Sequence, residues 1–163
     1  MHQRQAVELA PANVASESRW SDEEQPTWPT AKLGKRVLVA EDDSAMRELL
    51  MLVLTERGYE VDSVSSGSEM IRLLSESNQG GSLAERFDLI ITDVRMPGVS
   101  GLDAVDQLRR GGNRTPVIVV TAFPHDGTRS RAQRLETCLL AKPFDLDALR
   151  YAVHAALDST LAE

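Results

Sequence analysis

The sequence of 163 residues contains one cysteine, Cys138, and aromatic residues make up only 4% of it. A single cysteine cannot form an internal disulfide or a zinc cluster, so packing alone must hold the fold, as suits a reducing compartment. Basic residues are also scarce, because 18 Lys and Arg stand against 25 Asp and Glu, for a net charge of -7. Nonspecific DNA or RNA binders normally have the opposite balance, so we expect no nucleic-acid partner.

Long hydrophobic runs are absent as well. Nowhere do 18 apolar residues follow one another, and the N-terminus lacks a basic region followed by an apolar run. The sequence therefore predicts neither a membrane span nor a signal peptide, and we expect a cytoplasmic protein that does not insert into membranes. The apolar residues, 42% of the chain, are nevertheless enough to close one hydrophobic core.

Residues 1–34 differ in composition from the rest of the chain. They hold three of the seven prolines, both tryptophans (Trp20 and Trp28) and no sustained hydrophobic periodicity. This composition predicts a mostly disordered N-terminal tail, and a segment that folds on a partner is the alternative. We assign residues 35–158 to one globular domain and residues 159–163 to a C-terminal end.

From Lys35 onward, short β-branched runs alternate with longer amphipathic patterns. The runs predict strands at 37–40, 59–64, 87–92, 117–121 and 138–141. The third and fourth runs are apolar without alternation, which is typical of central strands in a parallel sheet. A helical pattern follows each run, and the weakest lies within 126–135. Five βα units predict an α/β fold with a doubly wound, parallel, five-stranded sheet.

The first and last helices carry the clearest boundary signals. For the first helix we predict Ser44 as the N-cap and Gly58 as the stop, and we interpret Asp43 as a solvated or capping acid. Asp145 is the predicted cap of the last helix. The predicted core-facing apolar positions are Met46, Leu49, Leu50, Val53 and Leu54 in the first helix and Leu146, Leu149, Val153 and Leu157 in the last.

Polar residues stand where the predicted strands end. Glu41 and Asp42 follow the first strand, Asp93 follows the third, Thr121 ends the fourth, and Lys142 follows the fifth. Ligands of doubly wound sheets bind beyond the carboxyl ends of the strands, so these residues are the candidate site. If the first and third strands are neighbours, three carboxylates converge there, which favours a hard divalent cation, Mg²⁺ or Mn²⁺. A metal, a carboxylate nucleophile, an ammonium and a hydroxyl together suit phosphoryl transfer onto Asp93.

Four sequence stretches resemble the receiver domain of two-component response regulators. They are V-L-V-A-E-D-D at 37–43, D-L-I-I-T-D-V-R-M-P-G-V-S-G at 88–101, V-I-V-V-T-A at 117–122 and A-K-P-F at 141–144. Each ends a predicted strand, and their common order makes the resemblance specific. The resemblance spans about Lys35 to Asp158 and implies a flavodoxin-like strand order, 2-1-3-4-5.

The resemblance also implies a role for each candidate residue. Asp93 resembles the phosphoryl acceptor, Glu41 and Asp42 the acidic pair that binds metal together with Asp93, and the backbone carbonyl of Arg95 a further metal ligand. Thr121 resembles the hydroxyl that follows the phosphoryl group, and Lys142 the cation that pairs with it. The bond between this lysine and the following proline is usually cis in such domains, so the resemblance implies a cis bond between Lys142 and Pro143. Gly98 and Gly101 are interpreted as turn residues.

One position departs from the family pattern. Receiver domains usually have an aromatic residue three positions before the lysine, but this chain has Leu139 there. We therefore expect the aromatic part of the switch to be absent or taken over by another group such as Phe123. The resemblance also places control of phosphoryl lifetime at Arg95 and Phe123, and the sequence leaves the net direction open.

These observations favour a single-domain response regulator over two alternatives. The expected protein accepts a phosphoryl group from a histidine kinase or phosphotransfer protein and signals to an unknown protein target through the face formed by the fourth helix, fifth strand and fifth helix. It is no enzyme beyond assisting its own phosphorylation and dephosphorylation. A receiver that binds partners without phosphorylation is the first alternative. An aspartate-nucleophile phosphatase is the second, disfavoured because Arg95 stands where a second Asp would act as general acid.

Overall fold

The computed structural model describes residues 34–76 and 87–158. Within them, a parallel sheet is formed by β1 (Arg36–Ala40), β2 (Glu60–Val64), β3 (Leu89–Asp93), β4 (Val117–Thr121) and β5 (Cys138–Ala141). The strand order is β2-β1-β3-β4-β5. Both the parallel five-stranded sheet and its flavodoxin-like order are confirmed. The predicted tail, its two tryptophans and residues 159–163 lie outside the described residues, so those assignments stay predictions.

Helices cover both faces of the sheet. They are α1 (Ser44–Glu56), α2 (Gly67–Glu76), α3 (Gly101–Arg110), α4 (Asp126–Arg134) and α5 (Leu146–Asp158). Apolar residues of α1 and α5 share one buried cluster with alternate residues of β1, β3 and β4, while α2, α3 and α4 supply the cluster on the opposite face. Strands buried on both faces explain why the third and fourth runs show no alternation. Among the described helices, none is long and apolar enough to cross a membrane.

Helix boundaries follow capping chemistry, and one predicted cap was wrong. Asp43, not Ser44, is the N-cap of α1, because its carboxylate accepts a hydrogen bond of 2.8 Å from the N–H of Met46. Ser44 is the first helical residue instead. The predicted cap of α5 is confirmed, since Asp145 Oδ1 accepts from the N–H of Ala148 at 2.7 Å. Gly58, just beyond α1, has φ of 90°, which explains why glycine stands at that stop.

Some other predicted details also differ. Leu49 is 44% exposed and Leu146 is 50% exposed, so neither belongs to the buried face assigned to it. Each lies at the margin of its helix's apolar stripe, where an error of part of a turn moves a side chain from core to solvent. Tyr59 is buried but precedes β2, because its N–H still bonds to the carbonyl of Leu54 in α1 at 3.2 Å. The third strand begins two residues later than predicted and includes Asp93 as its last residue.

Candidate functional site

The register of β1 and β3 brings two acidic positions together. Ala40 pairs with Thr92, so Glu41 and Asp93 follow side by side at the carboxyl edge of the sheet. The next N–H, that of Val94, still bonds to β4 at 3.0 Å, which extends the ladder past Asp93. The chain order reverses between these neighbouring strands, so this edge is the topological switch point where such sheets bind ligands.

The register of β4 and β5 adds the hydroxyl and the ammonium. Thr121 pairs with Ala141, and the N–H of Lys142 donates to the carbonyl of Thr121 at 2.7 Å. Lys142 therefore starts at the end of the ladder, beside Thr121. The peptide bond between Lys142 and Pro143 is cis.

Three carboxylates form an acidic cluster at this edge. One oxygen each of Glu41, Asp42 and Asp93 lies within 4.8 Å of the other two. Glu41 and Asp93 are buried, whereas Asp42 is exposed. The segment that carries Glu41 and Asp42 is held by Arg47, whose guanidinium donates a hydrogen bond of 2.7 Å to the backbone carbonyl of Glu41. Like charges this close repel one another unless a cation joins them, so the cluster can hold a hard divalent ion.

Lys142 supplies a cation to two of these acids. Its Nζ lies 2.9 Å from Glu41 Oε2 and 3.3 Å from Asp93 Oδ2. Burial raises the pKa of Glu41, the hydrogen bond from Lys142 opposes that change, and the charge of Asp93 adds to it. For Lys142, burial by itself would lower the pKa, but its bonds to both carboxylates outweigh burial and leave the pKa raised. The two directions agree with one ammonium shared between two acids.

Backbone N–H groups orient the acceptor and the hydroxyl. The N–H of Arg95 donates to Asp93 Oδ1 at 3.3 Å, so one oxygen of Asp93 faces this loop and the other faces Lys142. The N–H of Phe123 donates to Thr121 Oγ1 at 3.1 Å, which leaves the hydroxyl proton free to point elsewhere. The carboxylate and the hydroxyl are thus each held by the residue two positions further along the chain.

Glycine is required beside Asp93 for a reason that the sequence interpretation missed. A Cβ on Gly101 would lie 1.9 Å from the backbone oxygen of Asp93 and 2.7 Å from Thr92 Oγ1. Gly101 is the first residue of α3 and not a turn residue, so that interpretation was wrong. Gly98, with φ of 78°, does occupy a turn that favours glycine. The close approach at Gly101 lets α3 pack directly under the acceptor.

The positions predicted to control the switch lie in two places. The guanidinium carbon of Arg95 is 4.4 Å from the centroid of the Phe123 ring. Leu139 is only 7% exposed and packs in the buried cluster that includes Ala132 of α4. Sequence reasoning missed Arg47, whose position in the first turn of α1 was the available signal. It also missed His125, which caps α4 by accepting from the N–H of Thr128 at 3.2 Å.

Comparison with known proteins gives a family for this arrangement. The family model described as the response regulator receiver domain matches residues 37–154. The transcriptional regulatory protein SphR of Synechococcus elongatus, named for alkaline phosphatase synthesis, is 35% identical over 71% of this chain and 46% of its own length. The response regulator MprA of Mycolicibacterium vanbaalenii is 34% identical over 77% of this chain and 51% of its own. The chain therefore spans about half the length of these curated relatives.

Solved structures agree with the sequence comparison. The response regulator TrrA of Thermotoga maritima, solved in complex with Mg²⁺ and BeF, is 32% identical, with a TM-score of 0.64 over 76% of this chain and 99% of its own. A Francisella response regulator receiver domain is 25% identical, with a TM-score of 0.67 over 77% of this chain and 98% of its own. Strand order, acidic edge and sequence match coincide, and the chain belongs to the response regulator receiver domains of two-component signalling.

Proposed function

We propose that this chain is a switch in which Asp93 accepts a phosphoryl group from a histidine kinase or a phosphotransfer protein. The observation that carries the proposal is the convergence of Glu41, Asp93 and Lys142, whose Nζ lies within 3.3 Å of both acids. These side chains are 101 and 49 residues from Lys142 along the chain, so only the sheet topology brings them together.

The acidic cluster fits Mg²⁺ or Mn²⁺. Its donors are hard carboxylate oxygens within 4.8 Å of one another, and they include no imidazole or thiolate. The residues that would hold the ion are Glu41, Asp42 and Asp93, with the backbone carbonyl of Arg95 as the further ligand expected from the resemblance. The ion, when bound, neutralises negative charge on the transferring phosphoryl group. The neighbour TrrA, solved with Mg²⁺ and BeF, supports this ligand class.

The proposed reaction is an in-line displacement at phosphorus. A carboxylate oxygen of Asp93 forms the new O–P bond while the P–N bond of a donor phosphohistidine breaks. The donor nitrogen keeps the electron pair of that bond and then takes a proton from water. Lys142 pairs with the incoming phosphoryl oxygens, and the Thr121 hydroxyl donates to one of them. Positioning and charge neutralisation supply most of the catalysis, as phosphoryl transfer requires.

The proposed output runs through the loop after β4. A phosphoryl group carries about -1.5 to -2 charges at pH 7 and replaces the single negative charge of the Asp93 carboxylate. Turning the Thr121 hydroxyl toward that charge changes its bond to the N–H of Phe123, which is 3.1 Å long without phosphorylation. The change reaches the face formed by α4, β5 and α5, where an unknown protein target binds. Single-domain status stays a prediction, because the curated relatives are about twice as long as the matched region. A cytoplasmic location is likewise part of the proposal.

A small acyl phosphate with Mg²⁺ tests the proposal. We expect an acid-stable, base-labile adduct on the full chain, lost in Asp93→Asn and without Mg²⁺. The matched control is Asp106→Asn, an acid of α3 paired with Arg110 at 2.7 Å, which should leave the adduct intact. An unmodified wild type would favour the binding module that works without phosphorylation. Turnover of phosphoesters without an adduct on Asp93 would favour the phosphatase.

A further inference from the structure

The side chains of Arg95 and Phe123 form a stack between the two loops that border the acceptor site. The guanidinium carbon lies 4.4 Å from the ring centroid, within the range of a cation–π contact. Arg95 belongs to the loop between β3 and α3, and Phe123 to the loop between β4 and α4. The stack therefore joins the segment that carries the acceptor to the segment that carries the switch hydroxyl.

Each member of the stack is also bonded to a reacting side chain through its backbone. The N–H of Arg95 donates to the Asp93 carboxylate at 3.3 Å, and the N–H of Phe123 donates to the Thr121 hydroxyl at 3.1 Å. A change at either reacting group therefore acts directly on one side of the stack. The Arg95 side chain therefore starts from a backbone that is hydrogen-bonded to the acceptor Asp93.

Phe123 is 55% exposed, so burial alone does not account for the position of its ring. An exposed ring gains little from the hydrophobic effect where it stands, whereas a guanidinium over its face gives it a defined position. The loop that carries the ring is also held, because Arg129 Nε donates to the carbonyl of Pro124 at 2.8 Å. The Phe123 ring is therefore a surface group that contacts Arg95 and lies on a loop held by a hydrogen bond from Arg129.

We infer that the stack is a latch: Phe123 holds Arg95 while Asp93 is unmodified, and a phosphoryl group on Asp93 takes the guanidinium away from the ring. The inference rests on the proposed function. An exposed cation–π contact is a weak interaction, and a charge-assisted hydrogen bond from guanidinium to phosphoryl oxygen is a stronger one. Arg95 is then a positioning residue for the phosphoryl group, and release of the ring reports phosphorylation to the loop before α4.

The latch explains how this chain can signal with leucine at position 139. Leu139 is 7% exposed and belongs to the buried cluster that includes Ala132 and Leu135, and a leucine offers no aromatic ring to either loop. Phe123 lies beside the acceptor site and carries the aromatic ring. The aromatic element of the switch is thereby moved from β5 to the loop after β4.

A latch makes an unusual thermodynamic prediction, because its two members act in opposite directions. Removing the ring frees the guanidinium and should tighten binding of a phosphoryl mimic, whereas removing the guanidinium should weaken it. The probe is beryllium fluoride with Mg²⁺, titrated into the full chain and followed by the amide resonances of Asp93 and Thr121. We expect Phe123→Leu to tighten binding about two- to fivefold, the energy of an exposed cation–π contact. Arg95→Gln should weaken binding at least about threefold.

Double substitution isolates the coupling between the two side chains. In the Arg95→Gln background, Phe123→Leu should no longer change the affinity, because no guanidinium remains to be released. Phe123→Tyr keeps a ring and should restore wild-type affinity. Arg36→Gln is the matched control, since Arg36 stacks on Phe87 at 5.2 Å at the opposite edge of the sheet and should not affect the affinity.

Each result has one meaning. Opposite effects of the two single substitutions, with loss of the ring effect in the double variant, support the latch. Weakening by both single substitutions would show a structural brace and overturn it, as would equal effects of Phe123→Leu with and without Arg95. If wild-type Asp93 and Thr121 resonances do not respond to the probe, the proposed function fails, and the latch fails with it. If they respond but the variant pattern is absent, only the latch is wrong.

Discussion

The ammonium of Lys142 lies closer to Glu41, at 2.9 Å, than to the acceptor Asp93, at 3.3 Å. One cation thus serves two buried carboxylates, and its nearer partner is a predicted metal ligand. A metal ion at the acidic cluster would take over the charge of Glu41 and leave the ammonium for Asp93 or its phosphoryl group. The position of Lys142 therefore links the charge state of the cluster to the readiness of the acceptor.

Replacing Lys142 by alanine should destabilise the metal-free protein. The variant leaves Glu41, whose side chain is 2% exposed, without its nearest cation, and we expect a loss of about 3 kcal/mol at pH 7. The loss should shrink toward pH 4, where Glu41 takes up a proton and no longer needs a partner. In the wild type the pKa of Lys142 is raised, so the protonated ammonium stabilises the fold at neutral pH. This stabilisation is lost only when strong alkali removes the proton.

Urea unfolding in the presence of a chelator measures this effect. Lys35→Ala is the matched control, because Lys35 pairs with Asp88 far from the site and both side chains are about one third exposed. An equal loss at pH 4 and pH 7 for Lys142→Ala would contradict the pairing with Glu41.

Glutamine at position 41 should stabilise the protein without metal and remove its response to Mg²⁺. Burial, opposed in part by Lys142, raises the pKa of Glu41, so the folded state holds this proton to higher pH than the unfolded state. The stabilisation that comes from protonated Glu41 is complete at low pH and is lost as pH rises through the pKa of Glu41 in the folded state. At pH 7 ionised Glu41 therefore destabilises the fold, and Glu41→Gln should increase the free energy of unfolding.

Chemical unfolding with and without Mg²⁺ separates the two effects of this variant. Mg²⁺ should stabilise the wild type by mass action and leave Glu41→Gln unchanged. Glu48→Gln, an exposed acid on α1, should behave as the wild type in both conditions. Stabilisation of Glu41→Gln by Mg²⁺ equal to that of the wild type would remove Glu41 from the metal site.

Alanine at Gly101 should disrupt the acceptor without touching its side chain. The new Cβ would lie 1.9 Å from the Asp93 backbone oxygen, so α3 or the end of β3 must shift, at a cost of about 3 kcal/mol. Gly111→Ala is the control, because its Cβ would meet no atom closer than 3.4 Å and its φ is -76°. Thermal unfolding and phosphorylation should both suffer in Gly101→Ala, and wild-type stability in that variant would contradict the close approach.

The thiol of Cys138 should be unreactive in the folded protein. Burial raises its pKa to about 11. At pH 8 the fraction of Cys138 present as thiolate should therefore be roughly a hundred times smaller in the folded chain than in the unfolded chain. Alkylation by iodoacetamide should be correspondingly slow and should accelerate in urea. The fold should also lose stability between about pH 9 and pH 11, and Cys138→Ala should reduce that loss. Rapid alkylation of the native protein would contradict this burial.

Much of the fold could be predicted because strand runs and helix stripes are local signals. The runs at 117–121 and 138–141 match β4 and β5 at both ends. In β4 the reason is that β-branched residues buried on both faces leave little freedom of placement. Caps were harder, because Asp43 and Ser44 are both good N-cap residues and only the bond to the N–H of Met46 distinguishes them. Exposure of Leu49 depends on the exact rotation of α1 against the sheet, which sequence periodicity does not resolve.

The site shows the same division. Asp93, Thr121 and Lys142 were predicted because parallel strands end at one edge, so residues at strand ends must meet. No comparable rule predicts three other features of the site: the close backbone approach at Gly101, the hydrogen bond from Arg47 and the stack of Arg95 on Phe123. Each depends on how a loop returns to the sheet.

The order of residues by itself determined the α/β architecture, the acidic edge and the identity of the candidate acceptor. These follow from periodicity and from the direction of parallel strands, which act over a few residues or apply to the whole sheet. The tertiary structure alone decided how the charges are shared, with Lys142 between Glu41 and Asp93 and Arg95 against Phe123. Electrostatic partners are chosen by distances of a few ångströms between segments far apart in the chain, and only packing sets those distances.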